Sequence, residues 1–302
     1  MENLTDRLRR GEVVVGDGAW GTLLMQRGLK HGEAPESFNL SRPEILTEIA
    51  TLYLDAGAEI ITTNTFGASP MRLKAYSLDE KTEEINGKAV EAVRQAVGTR
   101  AYVSASVGPT GQLIAPYGKA KPDEVYASFE RQIRALLAAG ADMICVETMT
   151  DLQEATLAVK AARALSATIP VMATMAFNET PRGFFTIMGV SVVKAAAGLE
   201  GAGADIIGSN CGNGIEKMIG IARAFKECSS LPIAIQANAG QPVVKEGSTF
   251  YLETPEFMAE KSPELLALGV QVIGGCCGTT PDHIRALRKV VDTSRARPLQ
   301  GV

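Results

Sequence analysis

Two adjacent cysteines near the end of the chain are the residues best suited to chemistry. Cys276 and Cys277 lie within GGCCGTTP, residues 274–281, and are two of only five cysteines in 302 residues. Neighbouring residues of a regular strand point to opposite faces of the sheet. Both thiols can therefore reach one point only where the strand breaks into a turn. Glycine permits such a break, and we expect the two glycines before the pair and the one after it to supply it.

A third cysteine gives this pair metal-binding character. Cys211 ends the β-rich segment ADIIGSNC, residues 204–211. Three thiolates at one point form a soft site, for which zinc is the natural ion. Three protein ligands also leave the fourth tetrahedral position open, as in catalytic zinc sites. The pattern favours a zinc centre on Cys211, Cys276 and Cys277 with a catalytic role.

Other interpretations of these cysteines stay open at this point. The adjacent pair would also suit a vicinal disulfide, and the three thiols would also suit unrelated buried positions. A glycine-rich loop after the eighth strand of a barrel often binds phosphate, which would indicate a phosphosugar isomerase or aldolase. No lysine ends a predicted strand, so a Schiff-base aldolase would lack its nucleophile.

The remaining cysteines and both histidines fall away from the predicted strand ends. Cys145 lies in the middle of a β-rich segment and Cys228 near a helix end, and both are expected to fill space. His31 lies in the first long loop and His283 on the last helix, where we expect surface residues or helix caps.

The elements that must position these groups alternate regularly along the chain. Eight β-rich segments are separated by helical patterns, and most are continuous apolar runs typical of parallel strands covered on both faces. They are residues 13–17, 58–65, 101–108, 141–148, 170–177, 204–211, 232–239 and 270–277. The joints AGAE, AGAD, GAGAD and ALGV each end a helix and begin a strand. An open doubly wound sheet is the alternative, but eight units favour an α/β fold of the (β/α)8 TIM-barrel type. We expect one domain over residues 1–291 and a C-terminal tail over 292–302.

Active sites of such barrels lie where strands end, so the polar residues at those ends are candidates. Besides the three cysteines, they include Asp17, Gly18 and Ala19 after the first segment and Glu147 in the fourth. Asn210 and Asn238 end the sixth and seventh segments.

Composition limits the classes of partner. The chain carries 30 basic and 34 acidic residues, with a net charge of −4, and no basic block, which disfavours nucleic acid. No apolar run reaches the length of about 18 residues that a membrane helix needs. The polar N-terminus lacks the apolar core of a secretory signal, so a cytoplasmic location is expected. An odd cysteine number there argues against a disulfide framework.

Several motifs together resemble the homocysteine S-methyltransferase family. They are DGAWGTLL, TNTFGAS, VETMTDLQEA, SNC and GGCCGTTPDHI, and the resemblance extends over about residues 5–291. It implies a (β/α)8 barrel, a single zinc ion held by Cys211, Cys276 and Cys277, and homocysteine as methyl acceptor, with methionine as product.

The resemblance also implies how the amino acid end of homocysteine is held. It assigns this task to Asp17, Gly18, Ala19 and Glu147, with a carboxylate on the ammonium group and backbone N–H groups on the carboxylate. Asn210 and Asn238 would position the site, and Asn238 would also suit the fourth zinc position when no substrate is bound.

The methyl donor is less well defined by the sequence. DGAWGTLLMQRG resembles the cobalamin-dependent branch of the family, but the chain has no corrinoid-binding D-x-H-x-x-G pattern. We therefore expect methylcobalamin carried on a separate corrinoid protein or module. The alternatives are a small onium donor, S-methylmethionine or betaine, and a non-catalytic zinc- or thiol-binding subunit of a methyl-transfer complex. The sequence does not indicate an oligomeric state.

Overall fold

The computed structural model describes residues 1–245 and 248–296. Its strands are β1 (Val14–Val15), β2 (Ile60–Thr62), β3 (Tyr102–Val107), β4 (Met143–Met149), β5 (Val171–Met175), β6 (Asn178–Thr180), β7 (Gly183–Phe185), β8 (Ile206–Asn210), β9 (Ile233–Ala237), β10 (Val243–Lys245), β11 (Ser248–Phe250) and β12 (Val272–Gly275). Its α-helices are α1 (Leu4–Arg9), α2 (Trp20–Gln26), α3 (Phe38–Ser41), α4 (Pro43–Asp55), α5 (Pro70–Leu73), α6 (Thr82–Val97), α7 (Pro122–Ala138), α8 (Leu152–Leu165), α9 (Val192–Ala202), α10 (Ile215–Lys226), α11 (Pro255–Ala267) and α12 (Pro281–Ala296).

Eight parallel strands form one sheet that closes on itself. Their order is β1–β12–β9–β8–β5–β4–β3–β2. A parallel bridge between Gly16 and Ile60 joins the two outer strands of this order. Each barrel strand corresponds to one of the eight predicted β-rich segments, and only β4 extends past its segment, by one residue. The prediction of a (β/α)8 barrel is therefore confirmed, and the doubly wound alternative is wrong.

Two hydrophobic layers follow from the alternation of side chains along each strand. Residues such as Ile144, Val146 and Ile235 face outward and pack against the surrounding helices in the larger core. Met143, Cys145 and Met172 belong to a smaller cluster inside the barrel. Cys145 is a buried residue of this inner layer, as expected of a cysteine that fills space.

The inner cluster is completed by the N-terminal helix α1. Leu4 and Leu8 are fully buried against the inner residues of the barrel strands. The Tyr102 hydroxyl donates a hydrogen bond of 2.8 Å to the carbonyl oxygen of Glu2, which ties the start of the chain to β3. Helix α1 thus closes the end of the barrel at which the strands begin.

We expect Leu8→Ala to lower the free energy of unfolding by about 2–5 kcal/mol, because it leaves a cavity in the inner cluster. Urea unfolding followed by circular dichroism measures this loss. Leu113→Ala is the matched control, since Leu113 is 55% exposed. Equal midpoints for both variants would show that α1 contributes little to the core.

The C-terminal helix differs from the predicted division of the chain. Helix α12 continues to Ala296, five residues beyond the predicted domain end at 291. An i,i+4 ion pair between Arg288 and Asp292 extends it, and Arg295 hydrogen-bonds to the Val13 carbonyl. The tail predicted over 292–302 therefore begins within a helix, and its last six residues lie outside the described part of the chain.

In the part of the chain that the structure describes, no helix combines the length and the hydropathy needed to cross a bilayer.

Candidate metal centre and substrate pocket

The three predicted cysteines converge at the carboxyl end of the barrel. Cys211 directly follows β8, and Cys276 and Cys277 directly follow β12. Strand β9 lies between them. Both loops attach to this strand, because the Cys211 N–H donates to the Gln236 carbonyl at 3.2 Å and the Cys276 N–H to the Ala237 carbonyl at 2.7 Å.

The sulfur positions fit a tetrahedral metal ion. The three Sγ atoms all lie within 4.8 Å of one another, and those of Cys211 and Cys277 are 3.6 Å apart. Zinc–sulfur bonds of about 2.3 Å in tetrahedral geometry place sulfur atoms about 3.8 Å apart. The donor set and its spacing are those of a soft metal site with one vertex free.

The backbone at Cys211 departs from the conformation of an ordinary strand end. Cys211 has a φ of 63°, in the left-handed region that non-glycine residues seldom adopt. Such a conformation costs on the order of 1–3 kcal/mol and persists only where its surroundings impose it. Its hydrogen bond to β9 and the neighbouring Gly212, with a φ of 78°, hold this turn.

The glycines beside the cysteine pair act differently from the prediction. Gly274 and Gly275 continue β12 and pair with Gln236 and Ala237 of β9, so they do not form the break. Gly275 is needed for space, since a Cβ atom there would lie 2.3 Å from Thr279 Oγ1. Only Gly278, with a φ of 79°, supplies the turn that glycine favours.

Hydrogen bonds among the three thiols shift their pKa values in opposite directions. Hydrogen bonds from Cys211 and Cys276 lower the pKa of the Cys277 thiol to about 3. The same contacts, together with burial, raise the pKa of Cys276. Cys277 is therefore the thiol that these contacts favour as a thiolate, and a cation bound by all three cysteines would displace the remaining protons.

The cysteines form one wall of a cavity of about 290 Å³. The predicted residues Asp17, Gly18, Ala19 and Glu147 line the same cavity. Seven of the nine predicted site residues are therefore brought together around one space. This volume suits a small amino acid.

Glu147 is aimed into the cavity by an irregularity in its strand. The pairing of β4 with β5 shifts register between Val146 and Met149, and such bulges redirect side chains next to active sites. The Ser106 hydroxyl donates to one carboxylate oxygen of Glu147. Burial raises the pKa of Glu147 to about 7, partly opposed by this hydrogen bond.

Asn210 lies behind Glu147 and uses both ends of its amide within the protein. Its Nδ2 group donates to Glu147 Oε2 at 3.2 Å and to Thr148 Oγ1 at 2.7 Å. Its Oδ1 atom accepts from the Thr148 N–H at 2.7 Å and from the Thr174 hydroxyl at 2.8 Å. Thr148 has a φ of 57°, which is strained for a β-branched residue. Asn210 therefore stabilises the strained turn that carries Glu147.

Asp17 is another carboxylate that lines the cavity, and it is buried. Its Oδ2 atom accepts from the Trp20 indole at 2.8 Å and from the Thr62 N–H at 2.7 Å. Its Oδ1 atom accepts from the Thr62 hydroxyl at 2.8 Å. Burial raises the pKa of Asp17 to about 6 despite these three donors.

The turn after Asp17 is built around close contacts that exclude a side chain. A Cβ atom at Gly18 would lie 2.6 Å from Thr279 Oγ1 and 3.0 Å from the Tyr53 hydroxyl. The Ala19 N–H donates to Thr279 Oγ1 at 3.2 Å, and the Tyr53 hydroxyl donates to the Ala19 carbonyl at 2.8 Å. The Thr279 hydroxyl also donates to the Cys276 carbonyl at 2.7 Å. Thr279 therefore joins the turn at Gly18 and Ala19 to the loop that carries Cys276.

Asn238 and Asn210 are the predicted residues that do not line the cavity in the described part of the chain. Asn238 is 3% exposed, and its Oδ1 atom has no hydrogen-bond partner among the described residues. Its assignment as a substrate or metal contact stays a prediction.

Sequence reasoning missed four residues that organise this site: Trp20, Thr62, Ser106 and Thr279. Period-two alternation along β2 and β3 places Thr62 and Ser106 on the barrel interior and could have identified them. Trp20 belongs to DGAWGT and Thr279 to GGCCGTTP, but no spacing rule indicates their partners.

Comparison with known proteins places the chain among methyltransferases. A model described as homocysteine S-methyltransferase matches residues 14–291. Methionine synthase of Mycobacterium leprae (strain TN) is 31% identical over 310 residues, which cover 96% of this chain and 25% of that protein. Methionine synthase of Mycobacterium tuberculosis (strain ATCC 25618 / H37Rv) is 31% identical over 298 residues, covering 92% and 24%. The chain thus spans about a quarter of the length of these two methionine synthases.

A solved structure shares the whole fold. The metallated form of the homocysteine methyltransferase MmuM from Escherichia coli superposes with a TM-score of 0.80 at 24% identity, over 95% of this chain and 99% of that one. Since the family model matches residues 14–291, which include the three converging cysteines and Glu147, the chain belongs to the homocysteine S-methyltransferase family.

Proposed function

We propose that this chain is a zinc-dependent methyltransferase that moves a methyl group onto the thiol of homocysteine to form methionine. The observation that carries the proposal is the convergence of three thiols and two buried carboxylates on one cavity. Residues 1–291 would form the homocysteine-binding domain, and the reduced thiols suit a cytoplasmic location.

The metal would be held by Cys211, Cys276 and Cys277. Zinc bound there would lower the pKa of a substrate thiol, which is about 8.5 when free, and so favour thiolate at neutral pH. Three thiolate ligands make the site anionic, which keeps the substrate sulfur electron-rich. The protein residues supply this charge and leave one vertex free.

The remaining residues would bind and orient the amino acid. The carboxylate of Glu147 and that of Asp17 would pair with the substrate ammonium, while the backbone N–H of Gly18, in the turn that Ala19 completes, would face the substrate carboxylate. Asn210 would keep Glu147 in place, and Asn238 would support the metal site. The thiolate sulfur then attacks the methyl group in line, forming the S–C bond as the bond to the donor breaks.

The donor is proposed to be a methyl-corrinoid on a separate protein or module. Two supporting observations are the likeness to methionine synthases and the larger size of those relatives. When a methyl-corrinoid gives up its methyl group, the electron pair of the cobalt–carbon bond stays on cobalt.

A donor panel at fixed homocysteine tests the proposal. Methylcobalamin, a methylated corrinoid protein, betaine, S-methylmethionine and S-adenosylmethionine are each supplied to zinc-loaded protein, and methionine is measured. We expect methionine with the corrinoid donors. If methionine forms only with betaine or S-methylmethionine, the corrinoid assignment is wrong and that donor replaces it. If the protein binds zinc and homocysteine but forms methionine with no donor, it is a non-catalytic subunit.

A further inference from the structure

A short segment after β11, Tyr251–Glu253, lies against the loop that carries Cys276 and Cys277. The Glu253 N–H donates to the Ala239 carbonyl at 3.0 Å, and the Ala239 N–H donates to the Cys277 carbonyl at 3.0 Å. The Tyr251 ring covers Gly278, because a Cβ atom there would lie 2.1 Å from its Cγ. This segment is therefore linked to one cysteine loop, through Ala239 on the main-chain side and through the Tyr251 ring.

His283 provides a further attachment on the same side. Its Nδ1 atom accepts from the Thr280 N–H at 3.2 Å, so the ring proton is on Nε2, which donates to the Glu253 carbonyl at 2.9 Å. His283 is 5% exposed, so it is not a surface residue, but its bond to the Thr280 N–H makes it a helix cap, which is the other expectation. It joins the start of α12 to Glu253.

The side chain of Glu253 reaches the other cysteine loop. Its Oε2 atom accepts from the N–H of Ile215 at 3.1 Å. Ile215 is the first residue of α10, four positions after Cys211. The cap residue of this helix is Gly214, which has no side chain to satisfy the free N–H groups. A carboxylate at a helix N-terminus is also favoured by the helix dipole.

Two glycines make room for this side chain. A Cβ atom at Gly214 would lie 2.0 Å from Glu253 Oε1, and one at Gly240 would lie 3.0 Å from Glu253 Cγ. Gly214 has a φ of −75°, which any residue adopts, so the space rather than the backbone conformation requires glycine.

We propose that Glu253 is a positioning residue that holds the Cys211 loop against the Cys276–Cys277 loop at the separation that a shared metal ion needs. This inference rests on the proposed metal centre. Productive sites require the metal ligands to be held within about 0.5 Å, and ligands on two separate loops meet that limit only if the loops are joined. Glu253 joins them through its main chain on one side and its carboxylate on the other.

Zinc affinity, measured by competition with a chromogenic chelator, tests this role. We expect Glu253→Ala to weaken zinc binding by about 10–100-fold, the usual cost of removing a partner outside the ligand set. Glu253→Gln should stay close to the unmodified protein, because its amide oxygen accepts the same hydrogen bond from Ile215. Glu260→Ala is the control, since Glu260 is a 70% exposed glutamate on the adjacent helix α11.

A second variant tests the same contact from the opposite side. Gly214→Ala should displace the Glu253 carboxylate and weaken zinc binding on its own. In the Glu253→Ala background it should add little, because the colliding oxygen is absent. Fully additive losses would contradict a shared contact.

Thermal unfolding separates positioning from simple stabilisation. A cap that only stabilised α10 would lower the melting temperature equally with and without zinc. A positioning role predicts that the rise in melting temperature on adding zinc becomes smaller in Glu253→Ala. An equal lowering of the melting temperature with and without zinc would overturn the inference. So would a Glu253→Ala variant that binds zinc as tightly as the unmodified protein. If the unmodified protein itself fails to bind zinc, the proposed metal centre is wrong.

Discussion

Cys211→Ala and Cys277→Ala are each expected to lose bound zinc and at least about 1,000-fold of methyl-transfer activity while keeping the barrel folded. Two thiolates do not complete a tight zinc site, and the substrate thiol would then lose the group that favours its ionised form. The fold should survive, because these cysteines are half-buried at the carboxyl end of the strands and lie outside the hydrophobic clusters.

Metal analysis by mass spectrometry, circular dichroism and a methionine assay measure the three parts of this result. Cys228→Ala is the matched control, since its thiol hydrogen-bonds to carbonyl oxygens of α10 and does not belong to the cysteine cluster. Retention of stoichiometric zinc by both Cys211→Ala and Cys277→Ala would exclude this ligand set.

Glu147→Gln is expected to weaken homocysteine binding by about 30-fold or more, because removing one partner of a buried charge pair costs about 2–5 kcal/mol. Zinc should remain bound, since Glu147 is not in the ligand set. The loss should therefore appear in KM for homocysteine and in calorimetric titration, with the metal content unchanged.

The pH dependence gives this prediction a second measurement. Only the ionised carboxylate pairs with an ammonium group, and burial raises the pKa of Glu147 to about 7. Homocysteine affinity should therefore rise as the pH increases through 7 and fall below it. Glu147→Gln should lose this component of the profile. Glu154→Gln is the control, because Glu154 is a buried glutamate bonded to Thr110 outside the cavity. An unchanged profile in Glu147→Gln would refute the ammonium contact.

The barrel could be predicted because its signals are local. Eight apolar segments alternate with helical patterns, four of them are preceded by a joint that ends a helix, and each of the eight corresponds to a barrel strand, which extends past its segment only in β4, by one residue. Helix α1 was not predicted, because its polar sequence LTDRLR shows only two apolar positions, Leu4 and Leu8, and their burial depends on the open end of the barrel. The extension of α12 past 291 depends likewise on contacts with distant residues such as Val13.

The part of the site that lies at the ends of the strands could be predicted from the sequence. Cys211, Cys276, Cys277 and Glu147 end strands, so topology alone brings them to one face. The left-handed backbone of Cys211 and the bulge that aims Glu147 could not be foreseen, because neither residue type favours such geometry. Both depend on partners far along the chain, Gln236 and Asn210, that only the closed barrel brings close.

The seal that α1 makes at the far end of the barrel has a kinetic consequence. In the described part of the chain, the cavity lies at the carboxyl ends of the strands, opposite the end that α1 closes, so both proposed reactants would enter from the cavity side. With the amino acid bound beside the thiols as proposed, it would enter before the methyl donor covers the cavity. Methionine would then leave after the spent donor has withdrawn, which is an ordered turnover.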